Sequence, residues 1–292
     1  MILVTGARGA LGSRLVRRLL AAGESVRFIT RDPDNAPELA RLGAEPVRGD
    51  LLDTGWQDTA LSGVETLVIA SHGLYPPSRR NHPVAVDGTG TQRLIDAAAR
   101  ANISRVIYVS AAGAERGGPA FLRIKRATER YLQASALPWT IIRPTVFIEN
   151  NGLLVLGEPL RGGEPVKFIG SGTTPVNWVS ADDVAATMAR VLNDPASIGR
   201  IFEVRGPDTL SRVELLALLE ELLDRKARRQ HLPRPVAQLF RAFAKPFNPG
   251  LACLLELALA DAGPPSRPAD AEVVVGPTGV AEVVATWART IQ

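Results

Sequence analysis

Three observations predict a doubly wound α/β fold, a parallel sheet carrying a smaller C-terminal α/β lobe. Short apolar runs alternate with stretches of helical spacing through the first half of the chain. The runs are apolar throughout, as parallel strands covered on both faces must be, and do not alternate with polar residues. A glycine-rich turn follows the first run at once.

The elements can be taken in order. Residues 2–4 read as a strand, 11–22 as a helix and 25–30 as the next strand, with Gly23 where a left-handed helix terminus is wanted. The same punctuation recurs in 39–42, Gly43 and 45–47, and again in 60–61, Gly63 and 66–70. A longer helix is expected over 84–100, ending at Asn102 before a strand at 105–110. A helix over 120–135 is stopped by Pro138, and 139–143 forms a sixth strand. Residues 149–178 are rich in Gly and Pro, with few long periodic stretches. Helical spacing returns at 181–192 and 212–223, with a strand at 200–204 between them, and the last 60 residues hold short amphipathic pieces and prolines. We therefore divide the chain into a first part, 1–145, and a C-terminal lobe, 146–292, of which 179–205 is expected to rejoin the sheet.

Composition narrows the function classes. At 292 residues, 46% hydrophobic and 22% charged, the chain is neither disordered nor collagenous. The 34 basic and 30 acidic residues leave a net charge of +4, too small to argue for a nucleic-acid partner. No uncharged apolar run reaches the roughly 18 residues of a membrane span, and 251–260 is better read as a core helix, so no membrane partner is expected. Residues 2–4 are too short for a signal-peptide core. The single cysteine, Cys253, suits a reducing compartment, excludes a disulfide framework or multi-cysteine metal site, and reads as a small buried apolar group. A cytoplasmic protein without metal is expected.

Residues 5–12, TGARGALG, carry the first chemistry. A pyrophosphate at a helix start needs backbone N–H groups close by, and the helix dipole favours its charge. Gly6 makes the turn, Gly9 admits the phosphates, and Gly12 lets the helix pack near the strand, with Ala7, Arg8, Ala10 and Leu11 completing the seat. At the end of the second strand stands Thr30-Arg31-Asp32. Arg31 with Arg8 would clamp a 2′-phosphate, which favours NADP(H), while Asp32 keeps NAD(H) open. Asp50, with Leu51 beside it, would hold the adenine amino group, or else cap its own loop.

These residues resemble the extended and atypical short-chain dehydrogenase/reductase families, most closely their NmrA-like branch with its NAD(P)-binding Rossmann sheet. The resemblance spans most of the chain: TGARGALG, GDLLD, VDGTGTQRLIDAAARANISRVIYVSA, LPWTIIRPTVF, PVNWVSADDVA and GRIFEVRGPDTLSRVELLALL all follow the family texture. It implies that Ala70 and Ser71 touch the adenosine ribose and that Pro144, Thr145 and Phe147 line the nicotinamide side. It also implies a Ser after the fifth strand, here Ser110, and a Tyr-x-x-x-Lys pair on the next helix. The chain departs at that pair, which reads Phe121-Leu-Arg-Ile-Lys125. Lys125 retains the nicotinamide-ribose role, but a phenyl ring donates no proton. Lys125 and Glu129, at i,i+4 spacing, would alternatively form an ordinary helix pair.

Replacement proton donors are sought in the loop SHGLYPPSRRNH, which carries His72, Tyr75 and His82. Tyr108 lies within a strand and Tyr131 beyond the proper helix position. Phe147, Leu153 and Trp178 read as pocket wall or core. The function expected is NADPH-dependent hydride transfer to an electron-poor quinone, enone or activated carbonyl. A non-catalytic NADP(H)-binding regulator or redox sensor is the alternative, and sugar-nucleotide epimerisation or dehydration comes third. A homodimer is open.

Overall fold

The computed structural model describes residues 1–34, 37–260 and 268–289. Five strand–helix steps and a sixth strand open the chain: β1 (Ile2–Thr5), α1 (Ala10–Ala21), β2 (Val26–Thr30), α2 (Pro37–Arg41), β3 (Glu45–Arg48), α3 (Gln57–Leu61), β4 (Thr66–Ile69), α4 (Thr91–Arg100), β5 (Arg105–Val109), α5 (Ala120–Ala134) and β6 (Trp139–Pro144). A π-helix, Val84–Gly90, leads directly into α4. The helix expected over 84–100 therefore starts with a widened turn. Gly90 lies so close to Leu51 that a Cβ would sit 2.5 Å from its carbonyl oxygen, and Thr91 Oγ1 donates back to the Val86 carbonyl.

The second half adds β7 (Val146–Phe147), a π-helix (Ile148–Gly157), α6 (Glu158–Gly162), β8 (Val166–Ile169), β9 (Pro175–Val179), α7 (Ala181–Leu192), β10 (Ile201–Arg205), β11 (Asp208–Ser211), α8 (Arg212–Leu222), β12 (Arg229–Leu232), α9 (Arg234–Phe247), α10 (Pro249–Leu259), β13 (Glu272–Val275) and α11 (Val280–Arg289). The π-helix and strands β8 and β9 fall where Gly and Pro obscured any period.

The main sheet is parallel throughout, in the order β3-β2-β1-β4-β5-β6-β10-β13. The direction in which successive strands are added reverses between β1 and β4, which opens a crevice above their carboxyl ends. Helices cover both faces. Leu11, Leu15, Val16 and Leu19 of α1 fall on one helical face and join Val184, Met188 and Val191 of α7 against one side of the sheet. Leu94 and Ile95 of α4, Leu132 of α5 and Tyr108 of β5 fill the other side. A third core around Trp178, Leu215, Leu219 and Val284 belongs to the smaller sheet β11-β9-β7.

The late strand β13 returns to the main sheet beside β10, whereas sequence texture leaves it within the lobe. Its approach is held by Arg143 of β6. This guanidinium is fully buried, grips Glu129 of α5 through Nε and Nη2 at 2.8 and 2.7 Å, and reaches Asp270 through Nη1 at 2.7 Å. Glu129 is thereby taken by Arg143 and Arg126, and the i,i+4 pair with Lys125 does not form.

The turn after β1 brings backbone close against backbone at the crevice. Gly6 has φ +72°, and a Cβ there would lie 2.7 Å from the Ala70 carbonyl oxygen. A Cβ on Gly12 would lie 2.2 Å from the Gly6 oxygen, closer than any relaxation of a side chain can cure. Gly12→Ala is expected to destabilise the ligand-free protein by about 1–3 kcal/mol, the usual cost of overpacking, read as a lowered midpoint of denaturant unfolding.

Candidate active site

A cavity of about 250 Å³ lies over the carboxyl ends of β1, β4, β5 and β6. Its floor is the glycine turn, with Gly6, Gly9, Ala10, Leu11 and Gly12 on the surface of the cavity. Ala7 is buried beneath it and Arg8 is exposed outside it. Gly9 precedes α1 and no side chain caps the helix, nor is there an acid in its first turn. The first amides of α1 are thus left for an anion, and the dipole adds to the attraction. Thr5 Oγ1 and Ser71 Oγ, 3.0 Å apart, join the ends of β1 and β4 across the switch point. Ala70 and Ser71 line the cavity there. These open amides above close-packed glycines fit a dinucleotide pyrophosphate.

The residues expected at the adenosine end lie outside the cavity, at the carboxyl ends of β2 and β3. Arg31 and Asp32 are both exposed. Arg48, ending β3, donates from Nη1 to the Arg31 carbonyl at 3.2 Å and brings a further guanidinium to this edge. Motif spacing does not single it out, although an arginine directly before Gly49-Asp50 is the available signal. Asp50 Oδ1 accepts the Leu52 amide at 3.0 Å, so one of its oxygens caps its own loop; Leu51 is buried under it.

Lys125 and Phe121 share the cavity wall. The Lys125 ammonium is 2.8 Å from Asp87 Oδ1, donates to the Val109 carbonyl at 2.9 Å, and lies 5.1 and 5.6 Å from the ring centres of Tyr108 and Phe121. Burial opposes its charge, but Asp87 and then Tyr108 outweigh that and hold its pKa above the ordinary lysine value. Asp87 is itself 1% exposed, and its other oxygen takes the Gly73 amide at 2.8 Å. It was missed in the sequence, where its signal was a lone carboxylate following the apolar Val84, Ala85 and Val86. Tyr108 is fully buried, and burial pushes its phenol up to about 12. It does not line the cavity. Ser110 does; its hydroxyl is buried and makes no hydrogen bond within the protein, which leaves it for a bound molecule.

The loop after β4 supplies the opposite wall. His72 accepts the Leu74 amide at Nδ1, 3.2 Å, so its neutral ring carries the proton on Nε2. Burial, in competition with Asp87, lowers its pKa, so the ring is neutral at ordinary pH. Tyr75 lines the cavity edge-on to His72, its centroid 6.3 Å away, and burial raises its pKa against the opposing effect of Arg212. His82 lies outside the cavity, where Nδ1 faces the Ala85 amide, and exposed Tyr131 bonds Asp96. Pro144, Thr145 and Phe147 line the far wall, and Thr145 donates to Asn177 at 2.9 Å. Trp178 is pure core, and Leu153 packs in the same cluster. Asn177, Glu203 and Arg212 also border the cavity and were not foreseen, because their elements approach only in the folded lobe.

Comparison with known proteins puts these features in context. The profile of an NAD(P)H-binding family matches residues 6–195. A (4-alkanoyl-5-oxo-2,5-dihydrofuran-3-yl)methyl phosphate reductase of Streptomyces griseus subsp. griseus is 30% identical over 284 residues, 92% of this chain and 95% of the relative. An NAD(P)H azoreductase of Xenophilus azovorans is 29% identical over 78% of this chain and 76% of the relative. Among solved structures, an Escherichia coli NADPH-dependent quinone oxidoreductase complexed with NADPH superposes with a TM-score of 0.74 at 24% identity, over 98% of this chain and 99% of that one.

Two outcomes follow from the buried charges. Asp87→Ala strands the Lys125 ammonium and is expected to cost about 3–5 kcal/mol in denaturant unfolding. Because the folded protein resists protonating His72, its contribution to stability is present above the ordinary histidine value of 6.5 and is lost as the pH falls through the lower folded value. A melting-temperature series from pH 8 to 5 should therefore slope downward toward acid, and His72→Gln should flatten that slope.

Proposed function

The chain belongs to the NAD(P)H-binding family, and from that premise we propose that it is an NADPH-dependent reductase of conjugated, electron-poor small molecules, quinones or enones, working without a proton donor on α5. It is an NAD(P)-dependent oxidoreductase, related to the atypical short-chain dehydrogenase/reductases. The observation that carries the finer reading is the wall formed by Phe121 and Lys125. One side chain has no proton to give, and the other has its ammonium engaged by Asp87 and the Val109 carbonyl.

When bound, the reduced nicotinamide supplies a hydride. The glycine turn and the start of α1 hold the pyrophosphate, while Arg31 and Arg48 give the 2′-phosphate two guanidiniums. Ser110 offers its unused hydroxyl to the nicotinamide end. Phe121, Leu74 and Phe147 keep that end of the cavity apolar and exclude water. The neutral His72 ring directs a hydrogen-bond donor, and Tyr75 a hydroxyl, toward an acceptor oxygen that gains negative charge as its carbon takes the hydride. A quinone or enone spreads that charge through its π system, so hydrogen bonding replaces full proton transfer at the barrier, and water can deliver the proton afterwards.

The names of the relatives support this acceptor class. A 5-oxo-2,5-dihydrofuran, an azo group and a quinone all have low-lying conjugated π systems.

Purified protein is expected to oxidise NADPH in the presence of a quinone or enone panel, followed at the nicotinamide absorbance. Stoichiometric NADPH binding without acceptor-dependent oxidation would replace this reading by the regulatory one. Arg31→Ala together with Arg48→Ala should weaken NADPH binding at least tenfold more than NADH binding, about 1.4 kcal/mol of discrimination; equal losses would remove the phosphate clamp. Phe121→Tyr should add reduction of simple carbonyls if the wall keeps the geometry of complete relatives.

A further inference from the structure

Helix α9 turns its apolar face to solvent. Val236, Leu239, Phe240, Phe243 and Phe247 recur at helical spacing, in a stripe roughly 100° wide at 3.6 residues per turn. They are 38%, 56%, 53%, 66% and 74% exposed, and Leu251 at the start of α10 extends the patch. What α9 turns toward the body is its small residues: Ala237 is its one buried side chain. The large apolar groups are therefore left over after α9 has packed on α10. A continuous patch of this kind on a folded surface calls for a partner.

Charge identifies the partner. Residues 225–255 carry five arginines and two lysines and no carboxylate, in a chain of net charge +4, so all the rest of the chain is net −3. Glu220 and Glu256 neutralise part of this excess through Lys226, Arg229 and Arg241, which leaves a cationic surface around the helix. On α9 itself Arg234 and Arg241 turn toward α10, where they bond the Leu259 carbonyl and Glu256, while Lys245 is exposed. An apolar stripe on a helix set in a cationic surface is the pattern of a helix lying in a lipid interface. A second copy of the chain fits less well, since a two-fold contact here brings two surfaces of the same net positive charge together.

We propose that α9 docks the protein on the surface of an anionic lipid bilayer, with its phenylalanines in the acyl boundary and its cations among the headgroups. Among the described residues no helix is long and apolar enough to cross a membrane, but lying on a surface needs only one apolar face. The proposal concerns docking on a surface and leaves the absence of a spanning helix among the described residues as it stands. The surface is independent of the redox reading, although Leu257 and Ala258 of α10 border the cavity.

Flotation of the full-length protein with phosphatidylcholine vesicles, and with vesicles of equal parts phosphatidylcholine and phosphatidylglycerol, tests the proposal. Binding is expected to the anionic vesicles only, to weaken as salt is raised, and to fall at least tenfold in the double variant F243S/F247S and severalfold in K245E. Circular dichroism and NADPH affinity of these variants should match those of the parent, since the three side chains are exposed and none lines the cavity. Failure of the folded parent to float with anionic vesicles would overturn the proposal. So would a dimer in sedimentation velocity that F243S/F247S abolishes, because the stripe would then belong to a second copy.

Discussion

A buried ammonium–carboxylate pair organises the catalytic side of this protein. Lys125 and Asp87 have almost no exposure, and each spends its remaining polar capacity on the backbone: Lys125 on the Val109 carbonyl, Asp87 on the Gly73 amide. Thr128 adds a bond to the Asp87 carbonyl at 2.7 Å. Four pieces of chain are thereby joined: the π-helix before α4, α5, the end of β5 and the loop after β4. Such a pair is expensive to desolvate and adds little net stability over apolar packing, but with one partner removed it is strongly unfavourable. Its consequence here is positional, for it sets where the His72 loop and the Phe121 face stand on either side of the cavity.

The same pair bears on chemistry. An ammonium committed to a carboxylate and a carbonyl has one donor left at most, and its pKa is held up. It contributes positive charge near the cavity without serving as a proton relay. Phe121 then completes a wall that excludes water and protons alike. Among the groups lining the cavity, His72 and Tyr75 of the β4 loop and Ser110 at the end of β5 carry polar hydrogens, whereas Phe121 of α5 carries none.

Cofactor seating rests on a different constraint, the close approach of backbone at Gly6 and Gly12. Both positions exclude a Cβ by distance alone. Gly9 differs: a Cβ there would meet only the Gly6 oxygen, at 3.3 Å, so its exposure, rather than packing, is what a phosphate would use.

Much of this was legible in the linear order of residues. Apolar runs with helices between them specify parallel strands because each buried strand must be covered on both faces, and the glycine turn is readable because its requirement is local: a positive φ and an open helix start within a few residues. Ser110, Phe121 and Lys125 were singled out by the family resemblance, and i,i+4 spacing added only that the last two share one helix face. The partner of Lys125 was not legible, since Glu129 on its own helix and Asp87 on a distant segment are equivalent on charge alone, and only packing shows that Arg143 claims Glu129. The return of β13 to the main sheet, the approach of Asn177, Glu203 and Arg212 to the cavity, and the outward orientation of the α9 stripe were decided in the same way. Periodicity records that one face of a helix is apolar. Which neighbour covers that face, or whether any does, is set by contacts between segments far apart in the chain, and those exist only once the tertiary structure has formed.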